Sequence, residues 1–173
     1  MILYIIRHAI AAQTASPTTA GGASEDSLRP LTMEGRKKMS QIAQGLKELQ
    51  VQIDLILSSP YKRATQTTRI LAKTFELHYD KVILTEHLTP PGNPDLLINL
   101  INDTYAEFTN IALVGHEPSL SRLISILVSG DPTLSVTVKK GGVCQLSVEN
   151  LRYGRCATLD WLLWPAQLVK IAG

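Results

Sequence analysis

The chain has 173 residues, 45% hydrophobic and 18% charged, a composition typical of a globular protein that can bury a core without disulfide or metal staples. Its formal net charge of +2 offers no broad basic surface for nucleic acid, and no apolar run approaches the roughly 20 residues of a membrane-spanning helix. With no linker or repeat to divide it, residues 1–173 are predicted to form one domain. The short apolar amino terminus does not resemble a signal peptide, so we expect a cytoplasmic protein without a membrane partner.

The first predicted strand is the apolar run at residues 1–6, which ends at Arg7 and His8. Successive side chains on a strand point to opposite faces, so Arg7 and His8 can share one site only where the strand stops and the chain turns. Residues 10–30 are rich in alanine, threonine, serine and glycine and are predicted to form a loop. Taken alone, this pair favours an ordinary strand end, and its significance depends on residues elsewhere in the chain.

The next elements are a helix, a strand and a second helix. Thr32 is predicted to cap the first helix, whose apolar residues recur with the helical period. A buried strand at residues 53–57 then leads into a helix predicted to start at Pro60, with Ser59 as its cap, and to reach about residue 73. Arg63 falls in or just beyond the first turn of that helix, where a cation opposes the helix dipole. A bound anion would remove this conflict, so we expect Arg63 to face a ligand.

The alternation of strands and helices continues. A strand is predicted at residues 81–85, followed by Glu86, and a helix at residues 94–101 with Asn93 as its cap. The apolar residues 111–114 form another strand that runs into His116. A helix with Pro118 at its first position follows and ends at Gly130.

The last third of the chain differs from the rest. Two apolar runs, at residues 143–148 and 156–163, are joined by a connection too short for a parallel crossover and should pair antiparallel. The sequence therefore predicts an α/β protein, a three-layer α/β/α sandwich whose sheet is mostly parallel with an antiparallel addition near the carboxyl terminus. Trp161 and Trp164 are predicted to pack in the core or on the sheet.

Four polar groups follow buried strands of the predicted parallel sheet, namely Arg7, His8, Arg63 and His116. Ligands of open α/β sheets bind at the carboxyl edge of the strands, where these groups should meet. The motifs that contain them, at residues 7–9, 26–35, 58–67 and 114–118, occur in the order typical of one family. The chain resembles the histidine phosphatase superfamily, and within it the compact bacterial phosphohistidine phosphatase branch, with a phosphoglycerate mutase-like fold.

The resemblance implies a role for each motif residue. In the family the histidine of the first motif becomes phosphorylated, which makes His8 the expected nucleophile. Arg7, Arg63 and His116 then correspond to the phosphate pocket, and Arg29 to an arginine that contacts substrate, with Asp26 as a residue that could orient it. Many members place a glutamate just after the third strand as a general acid, and Glu86 stands near that position, although the compact branch lacks the inserted lid that completes an acid site.

These residues outline a mechanism without a metal. A covalent phosphohistidine divides one displacement into two easier steps, and His8 must be neutral to attack, a state favoured by cationic neighbours. The arginines would stabilise the phosphoryl oxygens, and a protonated His116 would add another donor. Because no carboxylate cluster stands at the predicted strand ends, we expect no metal or other cofactor.

The expected substrate and partner is a protein that carries phosphohistidine, since the segment after Glu86 is short and no inserted lid would enclose a small metabolite. Two alternatives remain open at this stage. One is a small-molecule phosphomonoesterase or mutase of the same superfamily. The other is a non-catalytic phosphate-binding module, which would not need the nucleophile.

Overall fold

The computed structural model describes residues 1–13 and 23–173. Its strands are β1 (Ile2–Arg7), β2 (Leu55–Ser58), β3 (Val82–Leu84), β4 (Asn110–Gly115), β5 (Val143–Val148) and β6 (Ala157–Leu163). Its α-helices are α1 (Ala23–Leu28), α2 (Met33–Glu48), α3 (Lys62–Thr74), α4 (Pro94–Thr104), α5 (Ser119–Ser129) and α6 (Pro165–Ile171). Short 3-10 turns at Tyr79–Lys81 and Glu86–Leu88 flank β3.

The strands form one sheet in the order β3-β2-β4-β1-β5-β6. The four strands from β3 to β1 are mutually parallel, whereas β5 pairs antiparallel with β1, and β6 pairs antiparallel with β5. This confirms the predicted fold class, including the antiparallel addition from the last third of the chain. Among the described residues, no helix is long and apolar enough to cross a membrane.

Helices cover both faces of the sheet, which makes three layers. Alternate side chains of β1 divide between the two resulting cores, because neighbouring residues on a strand point to opposite faces. Leu3 and Ile5 pack in the core that α4 and α5 cover. Tyr4 and Ile6 pack in the core under α2, α3 and α6. Burial on both faces explains why β1 and β4 are continuous apolar runs rather than alternating ones.

Helix starts were predicted with mixed success. Thr32 caps α2 as expected, accepting a hydrogen bond from the backbone N–H of Gly35, and Asn93 likewise caps α4. The predicted start at Pro60 is wrong, because α3 begins at Lys62 after an extended Tyr61. Pro118 precedes rather than opens α5, which starts at Ser119.

Two further expectations need correction. The predicted loop at residues 10–30 contains α1 at its carboxyl end, while residues 14–22 lie outside the described part of the chain. Trp161 packs against Tyr4 as expected, with ring centroids 6.3 Å apart. Trp164 is instead 49% exposed, because the chain leaves the sheet there to begin α6, and Lys139 covers its ring at 3.6 Å.

The strand register brings the motif residues to one edge. Arg7, the last residue of β1, pairs with Gly115, the last residue of β4, so the next residue of each strand is a histidine. Ser58 of β2 pairs with Val114 of β4, which places the next residue, Ser59, beside the two histidines. The carboxyl edge of the parallel strands is therefore where the polar side chains gather.

Candidate active site

His8 lies buried at the end of β1, with 5% of its surface exposed. Its backbone N–H donates to the carbonyl of Gly115, 3.1 Å away, and its Nδ1 lies 2.7 Å from the carbonyl oxygen of Ala9. A carbonyl oxygen can only accept a hydrogen bond, so Nδ1 carries the ring proton and Nε2 carries the lone pair. The backbone of the strand end thus fixes one tautomer of His8.

The electrostatics keep His8 neutral. Burial is the largest cause that lowers its pKa, to about 3, and the positive charges of Arg63, Arg7 and Lys140 lower it further against the bond to Ala9. The sequence predicted a neutral His8 from its cationic neighbours. In the structure, desolvation lowers the pKa of His8 more than the charges of those neighbours do.

Arg63 is 3% exposed and lies in the first turn of α3, as predicted. Its Nε–H donates to Nε2 of His8 at 3.1 Å, which agrees with the tautomer set by Ala9. One terminal nitrogen lies 2.8 Å from the carboxylate of Asp26, and the other donates to the Asp26 carbonyl at 2.5 Å. The backbone carbonyl of Arg63 accepts a hydrogen bond from Thr67, whose hydroxyl also accepts one from the backbone N–H of Ala9.

Arg7 reaches the same edge from β1. One terminal nitrogen donates to the carbonyl of Val138 at 2.9 Å, while its Nε is buried without a hydrogen-bond partner among the described residues. Burial lowers the pKa of Arg7, the nearby Glu117 raises it and Arg63 lowers it. An arginine remains protonated under such shifts, so Arg7 supplies a fixed positive charge beside His8.

His116 completes the cluster and is 2% exposed. Its ring centroid lies 4.9 Å from that of His8 and 5.0 Å from that of Tyr61, and its Nε2 lies 2.9 Å from Oγ of Ser59. Burial is the largest cause that lowers the pKa of His116, to about 2, followed by the Coulombic interaction with His8 that arises when both rings are protonated, and by the charges of Arg63, Arg7 and Arg29. This lowered pKa favours a neutral His116 over the protonated donor considered from the sequence, because a further cation would be desolvated among arginines.

Arg29 and Glu86 lie further out. Arg29 makes an ion pair of 2.7 Å with Asp26 and donates to the carbonyl of Ala12 at 3.3 Å. Glu86 is exposed, in the turn after β3. It lines an open groove of about 690 Å³ together with residues from α1 and the start of α3: Ser27, Leu28, Pro60, Tyr61, Lys62 and Thr65.

The structure thus brings the half-buried Arg7 together with the buried His8, Arg63 and His116 in one cluster, with Arg29 connected to it through Asp26. Sequence reasoning gave Asp26 a role only toward Arg29 and missed its ion pair with Arg63. It also missed residues 138–142, which close over the strand end: the backbone N–H of Gly141 donates to the carbonyls of Arg7 and His8. No motif marks that segment, because its contacts are made by the backbone.

No group of three or more histidine, cysteine, aspartate or glutamate side chains that could hold a metal ion occurs in residues 1–13 and 23–173. Asp54 accepts hydrogen bonds from Thr109 and Asn110, at the amino end of the strands and away from the cluster. The polar groups at the carboxyl edge therefore include imidazoles, guanidiniums, the Ser59 hydroxyl and two carboxylates. Asp26 is paired with arginine, and Glu117 accepts hydrogen bonds from Ser121 and from the backbone N–H of Val138.

Fold and site together define an α/β protein with a cluster of arginines and histidines around an unprotonated imidazole nitrogen at the carboxyl edge of its parallel strands. Residues 3–89 match the histidine phosphatase superfamily (branch 1), and the chain belongs to that superfamily.

Three relatives illustrate the similarity. An uncharacterized protein of Picosynechococcus sp. is 32% identical over 147 residues, which is 84% of each chain. The phosphohistidine phosphatase SixA of Escherichia coli is 27% identical over 169 residues, covering 97% of this chain and 96% of that protein. A solved structure of the protein histidine phosphatase SixA complexed with tungstate superimposes with a TM-score of 0.77 at 27% identity, covering 97% of this chain and 99% of the other.

Proposed function

We propose that this phosphatase removes the phosphoryl group from phosphohistidine on a protein, through a covalent phosphohistidine formed on His8. The superfamily membership and the similarity to SixA over nearly the whole chain support a phosphatase. The phosphohistidine substrate rests on that similarity and on the shape of the site.

One observation carries the proposal, namely the tautomer of His8. Because Nδ1–H is held by the Ala9 carbonyl, the lone pair of Nε2 faces the pocket and is bonded to Arg63 alone among the described residues. A neutral imidazole with a preoriented lone pair beside a fixed cation is suited to attack phosphorus in an anionic substrate.

The reaction follows in two displacements. Nε2 of His8 bonds to phosphorus while the bond from phosphorus to the leaving nitrogen breaks, and that nitrogen keeps the electron pair and takes up a proton. Water then attacks the phosphoryl group on His8, which releases inorganic phosphate and restores the free imidazole. Arg7 and Arg63 stabilise the phosphoryl oxygens, His116 donates to one of them, and Arg29 contacts the substrate. Glu86 acts as the general acid when a leaving group needs a proton from the protein.

Two features support an oxyanion in this pocket. Nε of Arg7 and Nδ1 of His116 are both buried without hydrogen-bond partners among the described residues, which is costly unless a ligand satisfies them. The SixA structure with tungstate supplies a parallel, since tungstate is a tetrahedral oxyanion of the same shape as phosphate.

The surroundings of the pocket favour a macromolecular substrate. The groove lined by Tyr61 and Glu86 opens to solvent, and Leu28 on its rim is 65% exposed. A side chain that projects from a protein surface can enter such an opening, and the protein around it can cover the exposed apolar rim.

The decisive experiment traps the intermediate. The wild-type protein is mixed with a protein phosphorylated on histidine with ³²P and quenched, and we expect acid-labile, base-stable label on His8. His8→Asn retains a side-chain donor for the Ala9 carbonyl and should fold, yet carry no label and show no turnover. His78→Asn, a change of an exposed histidine, serves as the matched control and should behave as wild type. Wild-type turnover by His8→Asn would disprove the nucleophile.

A further inference from the structure

Ser59 lies between the end of β2 and the start of α3, directly against His116. The residue is fully buried, with an exposed fraction of 0%. Its backbone N–H donates to the carbonyl of Val114 at 2.9 Å, which anchors it to the neighbouring strand. Its Oγ has two hydrogen-bond neighbours among the described residues, the backbone N–H of Tyr61 at 3.3 Å and Nε2 of His116 at 2.9 Å.

The proton of the Ser59 hydroxyl decides which nitrogen of His116 is protonated. A serine hydroxyl has one proton to donate and two lone pairs to accept with. The N–H of Tyr61 can only donate, so it uses a lone pair of Oγ. Nε2 of His116 is then the one neighbour that can accept the hydroxyl proton. If Nε2 were itself protonated, the buried hydroxyl proton would have no acceptor in residues 1–13 and 23–173, which is the costly arrangement.

The favoured arrangement therefore has Ser59 as donor and Nε2 of His116 as acceptor. The ring of His116 is neutral, so its single proton must then lie on Nδ1. That nitrogen is buried and has no hydrogen-bond partner within the described parts of the chain. An N–H on Nδ1 is a donor that can be satisfied by an oxyanion, whereas a lone pair on Nδ1 would repel one.

We infer that Ser59 is a positioning residue that holds His116 in the Nδ1-protonated tautomer, so that the neutral ring donates a hydrogen bond to the transferring phosphoryl group. The inference deepens the proposed function and rests on it for the identity of the bound group. It gives the two histidines of the pocket complementary roles. The Ala9 carbonyl directs a lone pair of His8 toward phosphorus, and the Ser59 hydroxyl directs an N–H of His116 toward oxygen.

Ser58 offers a matched control. It is the preceding residue, is equally buried and also bears a hydroxyl, but its Oγ donates to the carbonyl of Ser59 and accepts from Thr68. Ser58→Ala therefore removes a buried serine hydroxyl from the same strand end without removing the donor to His116.

The first test reads the tautomer without turnover. Long-range ¹H–¹⁵N correlation spectra distinguish the protonated from the unprotonated nitrogen of His116, and the assignment is confirmed with His116→Gln. In the wild type and Ser58→Ala, with and without inorganic phosphate, we expect the proton on Nδ1. In Ser59→Ala without phosphate we expect a mixture of tautomers, and Ser59→Thr should restore the wild-type pattern. A proton on Nε2 in the wild type would overturn the inference.

The second test measures what the tautomer contributes. Ser59→Ala should lose about 10–100-fold in kcat/KM toward a phosphohistidine protein, as when one donor to a charged group is compromised, and Ser58→Ala should stay within about 3-fold of wild type. Equal losses in the two variants would overturn the inference, since a general packing defect would then explain both. Circular dichroism and urea unfolding of each variant verify that the compared proteins are folded.

The outcomes separate this inference from the proposed function. If the wild type turns over no phosphohistidine protein, the proposed function fails, and the role of Ser59 is decided by the tautomer and by inorganic phosphate binding. Calorimetric titration should then show about 10-fold weaker phosphate binding by Ser59→Ala than by Ser58→Ala. Equal affinities would contradict the role of Ser59, whichever substrate the enzyme uses.

Discussion

The carboxylate of Asp26 makes an ion pair with Arg63, with 2.8 Å between Oδ2 and a terminal guanidinium nitrogen, and so occupies part of the guanidinium fork that we propose as a phosphoryl ligand. Its other oxygen lies 2.7 Å from Arg29. Burial acts to raise the pKa of Asp26, but the bonds and charges of Arg63 and Arg29 outweigh it and leave the pKa below its ordinary value. Asp26 is therefore an anion bound to Arg63, and under the proposed function an entering phosphate would compete with it.

We predict that Asp26→Asn binds inorganic phosphate about 3–10-fold more tightly than wild type, because one competing negative charge is removed while the side-chain shape is kept. The effect is modest because the carboxylate is 42% exposed and screened by solvent. Calorimetric titration measures the affinity. Glu25→Gln removes the same charge from the neighbouring exposed position of α1 and should have little effect. Weaker binding by Asp26→Asn would show that the ion pair organises Arg63 rather than competing for it.

Arg63→Ala should cost about 2–4 kcal/mol of transition-state stabilisation, as expected for the loss of one preorganised donor. Arg63 also donates a hydrogen bond to Nε2 of His8, so the loss of activity in Arg63→Ala should appear mainly as a lower kcat. Steady-state kinetics with p-nitrophenyl phosphate measure the loss, and Arg69→Ala, an exposed position of α3, is the control. Wild-type activity is expected to persist in EDTA, in line with the predicted cofactor-free mechanism. Loss of activity restored by magnesium would contradict it.

The buried histidines should make stability depend on pH in an acidic window. The folded-state pKa values, about 3 for His8 and about 2 for His116, lie below the unfolded value of about 6.5, so the unfolded chain binds more protons as the pH falls. The free energy of unfolding should therefore decrease from pH 6.5 to 4.5, by about 2 kcal/mol for each histidine. Glutamate and aspartate side chains begin to take up protons toward the lower end of this window, so the histidine contribution is measured as the difference from a variant that lacks both histidines.

Urea unfolding at intervals across pH 6.5–4.5 measures this dependence. The double variant His8→Asn, His116→Asn should flatten the curve, whereas His78→Asn should leave it unchanged because that side chain is 69% exposed. A double variant with the full wild-type slope would place the responsible protons elsewhere.

Local sequence signals predicted the strand ends and the layer order. The same signals predicted the cluster of four polar side chains at the sheet edge, Arg7, His8, Arg63 and His116. An apolar run that stops at a polar pair locates a strand end, and parallel pairing then brings such ends together. The link from Asp26 to Arg63 was not predictable in this way, since it joins positions 37 residues apart through a short helix that no periodicity marked. The carbonyl of Val138, which fixes Arg7, carries no side-chain signal at all.

Ser59 shows the same limit at closer range. Its position before Pro60 predicted a helix cap, because serine commonly caps helices. The structure uses its hydroxyl for His116 instead, and α3 begins two residues after Pro60. A serine that follows a strand beside a neighbouring strand-end histidine is the pattern that would have revealed this contact.

The last prediction concerns substrate preference and Glu86. The bond between phosphorus and nitrogen in phosphohistidine is weak and its leaving imidazole is readily protonated by solvent, whereas an alkyl phosphate needs a positioned acid. We therefore expect a higher kcat/KM for a phosphohistidine protein than for phosphoglycerate or sugar phosphates. Glu86→Gln should reduce alkyl phosphate hydrolysis by about 10-fold or more and phosphohistidine hydrolysis by much less. Glu107→Gln, an exposed glutamate elsewhere on the surface, controls for the change of charge. A clear preference for phosphoglycerate or a sugar phosphate would favour a small-molecule phosphomonoesterase instead. In that case Glu86→Gln should reduce the hydrolysis of alkyl phosphate and of phosphohistidine equally, because the acid would be obligatory.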